Sequence, residues 1–233
     1  MPDPKLLYVT QVAPYDSGPA GVHGVLDQSA TALAQLADIH GREPVHVTDV
    51  RALKAQDIDK QGNVLALFTI GETPWTSEQK RAIQEGVTSG RVCLVAVHAA
   101  TDACYRWDYY GRLVGARFNG HPWTQKMHLE VVDTRHPATA HLGDTWDWTD
   151  EVYQVKDLRE DARVLLQVPT DQLDPAAEGA DQPAFGFPLS WCFTEGHGRV
   201  FSTTLGHFPE AWESPTYLRH LSGGMAWALG QGS

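Results

Sequence analysis

The segment HAATDACYRWD, from His98 to Asp108, follows a run of apolar residues and joins an imidazole to carboxylates and aromatics. If a helical turn starts where the apolar run stops, His98, Asp102 and Tyr105 stand at i, i+4 and i+7 and share a face. An imidazole beside a carboxylate is a general base with a fixed tautomer. Read structurally, the same residues give a strand-end His98 capping a helix, with Asp102 near its positive end. FNGHPWTQKM sets a second imidazole, His121, and an indole, Trp123, around a Gly-Pro turn. Aromatic platforms suit the C–H faces of sugar rings; a packed Trp123 under a structural turn is the alternative. In TWDWTDEVYQ, Asp150 and Glu151 point to opposite faces of an extended chain, so Glu151 shares its face with Tyr153. The alternative there is a solvated acidic strand end. TTLGHFPEAW closes a β-rich run on Gly206 and His207, a third imidazole at a strand terminus.

His98, His121 and His207 with a carboxylate could also ligate a divalent metal such as zinc, although their spacing matches no compact signature such as HExxH. The chain contains no P-loop, GxGxxG or GxSxG. GPAGVHG lacks the Lys-Ser/Thr of a phosphate loop and reads as a flexible rim loop. Cys93, Cys104 and Cys192 form no CxxC pair and no disulfide framework. Cys93 reads as a buried thiol. Cys104, after the break, keeps a nucleophilic role open.

These residues need elements to hold them. KLLYVTQV (Lys5 to Val12), PVHVTDV, VLALFTIG (Val64 to Gly71) and RVCLVAVH read as strands. Between them, Val25, Ala30, Leu33, Leu36 and Ala37 recur at helical spacing before a stop at Gly41. A second helix starts at Thr76 as N-cap, with Glu78 and Gln79 in its first turn. Strands alternating with helices predict a mainly parallel sheet covered on both faces. Ligands of such sheets lie beyond the carboxyl ends of the strands, which places Gln11 to Tyr15, Gly71 to Trp75 and His98 to Tyr105 on one rim. The second half is strand-rich: KMHLEVVD, EVYQV, ARVLLQV, LSWCFTE and GRVFSTTLGH, the last two joined by a hairpin turn at EGHG. PTDQLDPAAEGADQPAFGFP reads as an excursion. An amphipathic helix with Ser214 as N-cap and Pro215 at N1 ends the chain. Trp212 and Tyr217 beside it suit either packing or an interface in a homo-oligomer.

The 233 residues fit one α/β domain, 1–233. The net charge of −11 repels phosphate backbones and anionic bilayers, so neither nucleic acid nor membrane is an expected partner. No apolar run is long enough to span a bilayer and no signal-like start is present, which predicts a cytoplasmic location.

HAATDACYRWDYYGRLVGARFNGHPWTQK, DTRHPATAHL, WDWTDEVYQ and GRVFSTTLGHFPEAWESPTYLRHLSGGMAWALG together resemble the ThuA-like (trehalose-utilisation) family. The resemblance runs from the first strand to the last helix. It implies a flavodoxin-like three-layer fold of the class I glutamine amidotransferase type, with β-hairpin strands added in the second half. Active amidotransferases carry Cys at the elbow after the strand, completed by His and Glu. Here His98 holds the elbow, so the glutaminase nucleophile is missing. Cys104, six residues on, is not expected to replace it. The family is associated with the use of trehalose and related disaccharides, in a setting of dehydrogenases that make 3-keto sugars. The resemblance therefore implies acid/base chemistry on a disaccharide or its 3-keto derivative, by a lyase, isomerase or hydrolase. Within it His98 or Glu151 is the expected base and Asp102 its orienter. Tyr105, His121, Trp123 and His207 are expected to hold the sugar. No cofactor is expected. The alternatives are a metal-dependent hydrolase built on the histidines and a non-catalytic sugar-binding module.

Overall fold

Strict alternation of buried side chains along the early strands sets the layers of this computed structural model, which describes residues 3–21 and 23–231. In β1 (Lys5–Val9), Leu6 and Tyr8 join one core while Leu7 and Val9 join the other. Strands buried on both faces read as unbroken apolar runs, which is why this half is plain in the sequence.

After β1 come α1 (Leu26–Ile39), β2 (Glu43–Val47), α2 (Ala55–Ile58), β3 (Asn63–Leu67), α3 (Ser77–Thr88) and β4 (Val92–Val97). Next are α4 (Asp108–Val114), β5 (Arg117–Phe118), β6 (Trp123–Val131), β7 (Thr145–Val152), β8 (Val155–Lys156) and β9 (Arg163–Val168). The chain closes with β10 (Phe187–Glu195), β11 (Gly198–Thr203), α5 (Pro209–Glu213) and α6 (Pro215–Ala228). The main sheet runs β2-β1-β3-β4-β11-β10-β9-β6-β7, and β5 pairs with β8 apart from it. Pairing is parallel from β2 through β4 to β11 and antiparallel from β11 to β7. Residues of α1, α5 and α6 pack in the core on one face, and residues of α2, α3 and α4 on the other. This is the expected flavodoxin-like three-layer α/β fold with antiparallel strands added.

The helix starts follow the sequence. Thr76 and Gln79 form a reciprocal capping box: Thr76 Oγ1 accepts from Gln79 N at 3.2 Å and Gln79 Oε1 accepts from Thr76 N at 2.9 Å. Ser214 caps α6 with Pro215 at N1. Gly196 and His197 turn the β10–β11 hairpin, as EGHG predicts. The third strand is shorter than expected and stops at Leu67. Trp212 and Tyr217 are packed, not presented to a partner. Trp212 Nε1 donates to Gly206 O and Tyr217 Oη donates to Leu205 O. Both brace the turn that carries His207. No helix among the described residues is long and apolar enough to cross a membrane.

Candidate functional site

Because β11 pairs directly with β4, the residues after their carboxyl ends become neighbours. His98 follows β4 with φ +48, a left-handed conformation uncommon outside Gly but tolerated by His. It begins a 3-10 turn to Asp102. His207 follows β11 after Gly206, whose φ is +114. β7 delivers Glu151, and Tyr153 comes just after it. The loop between β1 and α1 brings in His23.

Four groups converge on His98 Nε2. His23 Nε2 lies at 3.1 Å, Tyr153 Oη at 3.2 Å, His207 Nδ1 at 3.3 Å and Glu151 Oε2 at 3.6 Å. His98 Nδ1 lies 2.7 Å from the Thr204 carbonyl. A carbonyl only accepts, so Nδ1 carries the proton and Nε2 offers its lone pair to the cluster. Glu151 Oε2 also lies 3.2 Å from His207 Nδ1, and its Oε1 lies 3.6 Å from His121 Nδ1.

Burial, with the neighbouring His23, drives the His98 pKa well down and keeps the ring neutral. His23 is lowered to about 4 by burial and by the nearby His207. Burial pushes the Glu151 carboxyl up, but His207 and the other imidazoles outweigh it and hold it below its usual value. The Glu151 hydrogen bond raises His207 against the opposing effect of burial. Tyr153 is pushed well above its usual value by burial and stays a proton donor. The site thus joins a carboxylate, a phenol, the neutral imidazoles of His23 and His98 and the raised imidazole of His207 at one wall.

Asp150 supports this wall from behind. It is fully buried and accepts hydrogen bonds from Gly206 N at 2.8 Å, Glu151 N at 3.0 Å, Trp148 Nε1 at 3.0 Å and His207 N at 3.2 Å. Backbone donors from two chain segments are satisfied by one carboxylate, which fixes His207 against Glu151.

Two expectations need correction. Asp102 does not orient His98. The turn is 3-10, with three residues per repeat, so positions i and i+4 do not coincide. The Thr204 carbonyl orients the ring instead. Asp102 accepts from Tyr15 Oη at 2.5 Å and from Tyr105 Oη at 2.6 Å. Trp123 is no exposed platform: it is buried, stacks edge-on with Phe187, and donates to Asp174 O at 3.0 Å. The Gly-Pro turn before it does project His121, which stacks on Tyr153. Cys104 is buried and its thiol is pushed up to about 12, which removes it as a nucleophile. His23 was not among the sequence candidates. Its signal was a histidine in a Gly-rich loop that follows a strand ending on the rim.

Beside the cluster is a cleft of about 480 Å³ lined by Tyr15, Asp16, Glu72, Asp102, Tyr105 and Phe118. Phe118 packs on both Tyr153 and His121, which links the cleft to the histidines. The predicted rim is assembled: Gly71 bridges to Ala103, Val12 to Ile70, and Tyr15 reaches Asp102. A larger cleft of about 620 Å³ lies by Trp148 and Phe208; like the first it is lined by none of the clustered histidines, and Phe208 packs against His207.

Solved structures with this fold include a ThuA-like protein from Parabacteroides merdae, at 20% identity and TM-score 0.73, covering 99% of this chain and 91% of that one. A ThuA-like protein from Bacteroides uniformis matches at 20% identity and TM-score 0.72, covering 98% and 93%. A cytoplasmic protein from Salmonella typhimurium matches at 12% identity and TM-score 0.63, covering 96% and 98%. At such identities the likeness is one of fold. No curated protein matches the chain. The family model ThuA, described as trehalose utilisation, matches residues 16–228. Trehalose utilisation is a role in carbohydrate metabolism, and the chain belongs to the ThuA family.

Proposed function

We propose that the protein acts on a trehalose-like disaccharide in its 3-keto form, by proton transfer at a carbon next to the ketone. The observation that carries this is Glu151, a carboxylate held between His207 and His98 with Tyr153 as a protonated donor beside it. A ketone acidifies its neighbouring C–H bonds, and removing such a proton needs a base and donors for the enolate oxygen. Glu151 is the base in this reading. His98 is enclosed, with Nδ1 committed to Thr204, and is better suited to shaping the pocket. The C–H electrons pass into the enolate, whose oxygen Tyr153 and the imidazoles hold. Return of the proton to the former carbonyl carbon, while the hydroxyl on the neighbouring carbon passes its proton to the old ketone oxygen and becomes the new ketone, gives isomerisation. Loss of the glycosidic oxygen from C1 gives elimination.

The sugar itself fits the cleft next door. Its volume lies in the range of roughly 300–1,000 Å³ typical of small-molecule sites. Tyr15, Tyr105 and Phe118 offer ring faces, and Asp102 and Glu72 offer acceptors for hydroxyls. The test is hydrogen exchange in D2O with 3-keto-trehalose, followed by NMR at the carbons flanking the ketone. The wild type should exchange, and Glu151→Gln should lose roughly 10²–10⁴-fold, the usual contribution of a general base. Absence of exchange and of turnover in the wild type ends this proposal.

A further inference from the structure

The cluster contains more nitrogen than proton transfer requires. His23 Nε2, Tyr153 Oη and His207 Nδ1 all crowd the single lone pair of His98 Nε2, at 3.1, 3.2 and 3.3 Å. One lone pair serves one donor well, so hydrogen bonding alone leaves this convergence poorly used. A cation uses it fully. Zinc bonds imidazole nitrogen at about 2.0–2.1 Å, so two ligands of a tetrahedral site stand about 3.3 Å apart. The His98–His23 and His98–His207 separations match that edge. The chosen nitrogens of His23, His98 and His207 all lie within 4.8 Å of one another.

The surroundings of His98 also match those of a ligand, whereas His23 Nδ1 is buried without a partner among the described residues. A metal-bound histidine usually donates its other N–H to a carbonyl or carboxylate, which fixes the tautomer and aims the lone pair. His98 does this through Nδ1 to the Thr204 carbonyl at 2.7 Å. The His207 backbone is held by Asp150, a buried carboxylate behind the cluster. The three rings are mutually close to edge-on, with centroids 4.9 to 5.3 Å apart, so no pair is stacked for its own sake.

We infer that His23, His98 and His207 form a three-histidine site for a divalent transition metal of the zinc class, with Glu151 beside the position left open to a substrate oxygen. Three protein ligands and one open position are the arrangement of catalytic rather than structural zinc. A metal on His207 Nδ1 displaces the proton this nitrogen shares with Glu151, whose Oε2, 3.2 Å away, is then free to act as a base beside the metal. The inference rests on ligand geometry and not on the identity of the substrate. It replaces His121, the ligand expected from sequence, by His23.

The experiment uses the full chain, stripped with a chelator and titrated with zinc by calorimetry. Cobalt(II) absorption then reports the coordination. One equivalent should bind, with the intense visible bands of a four-coordinate cobalt site. His23→Ala sits on a loop and should fold normally by circular dichroism. It should weaken zinc by more than the roughly 10–100-fold that losing an outer-shell partner costs. His207→Ala should do the same. His128→Ala, on the exposed β6–β7 face, should not alter binding. Absence of a one-equivalent site in the stripped wild type overturns the inference, as does unchanged affinity in both His23→Ala and His207→Ala. The result is separable from the keto-sugar proposal. Exchange by fully stripped protein would leave that proposal standing without a metal. Tight zinc binding with no exchange on any keto-sugar would do the reverse.

Discussion

At the scale of single residues, the site depends on carboxylates whose neighbours decide their form. Glu151 faces imidazoles and is held ionised; Asp150, next in sequence, is enclosed and pushed up by burial, and is tied down by backbone donors. The alternation of an extended chain was enough to separate their roles in the sequence. What could not be read was the partner of each, because both partners come from the turn after β11, more than fifty residues away. Asp150→Ala would strand the N–H groups of Gly206 and His207 beneath the site. Each buried donor left unmet costs roughly 1–3 kcal/mol, so urea denaturation should show a loss of about 3 kcal/mol or more. Asp150→Asn retains an acceptor oxygen and should lose clearly less. Equal losses in the two variants would mean that Asp150 acts by volume and not as an acceptor.

At the scale of elements, the parallel half was legible because its inner strands β1, β3 and β4 are largely apolar and α3 carries an explicit cap. The Thr76–Gln79 box and the Ser214–Pro215 start are local signals, and local signals survive folding. The 3-10 turn at His98 was not legible. Nothing in HAATD distinguishes it from an α-helical start, and the choice is made by His98 at φ +48 and by the bond from Gly71 N to Asp102 O at 2.9 Å. Nor was the return of β11 to β4, which alone joins His98 to His207. Position 206 shows how tightly this return is built. Gly206 has φ +114, and a Cβ there would stand 2.4 Å from Tyr217 Oη and 3.3 Å from Trp212 Cζ2. Gly206→Ala should therefore displace His207 as well as strain the backbone. Its expected signature is a fall in thermal stability together with weakened zinc binding. Thr76→Ala removes half of a distant capping box. It should cost about 1 kcal/mol of stability and leave the site untouched. If Gly206→Ala lowered stability without altering the site, the turn would be a packing feature only.

At the scale of the whole molecule, the acidic chain also hides histidines far from the site, and these contribute to its response to acid. His220 on α6 is fully buried, with Nδ1 2.8 Å from Ala138 O and Nε2 without a partner among the described residues. Phe201 and Trp146 pack against its ring, and the titratable groups that act on it are His141 and His136. Burial lowers its pKa to about 3. His136 lies close by, against Trp227 and Cys192, and is lowered to about 4 by burial and by Arg163, which outweigh Asp133. Unfolded, both titrate near 6.5. Above that value neither state binds the proton and the two histidines do not affect stability. Between about 6.5 and 4 the unfolded chain takes up protons that the native rings refuse, so stability falls as pH falls. The slope approaches about 1.4 kcal/mol per pH unit for each histidine. Urea unfolding of the wild type at intervals from pH 7 to pH 5 should show this decline before most carboxylates titrate. His220→Asn keeps a donor for the Ala138 carbonyl and cannot be protonated. It should be less stable at pH 7, because it leaves space beside Phe201, yet lose less on acidification by close to one proton's slope. A wild-type slope retained in both His220→Asn and His136→Asn would place the acid sensitivity elsewhere. The clustered histidines at the strand ends would then be the next groups to test, because His23 and His98 are also held neutral by burial.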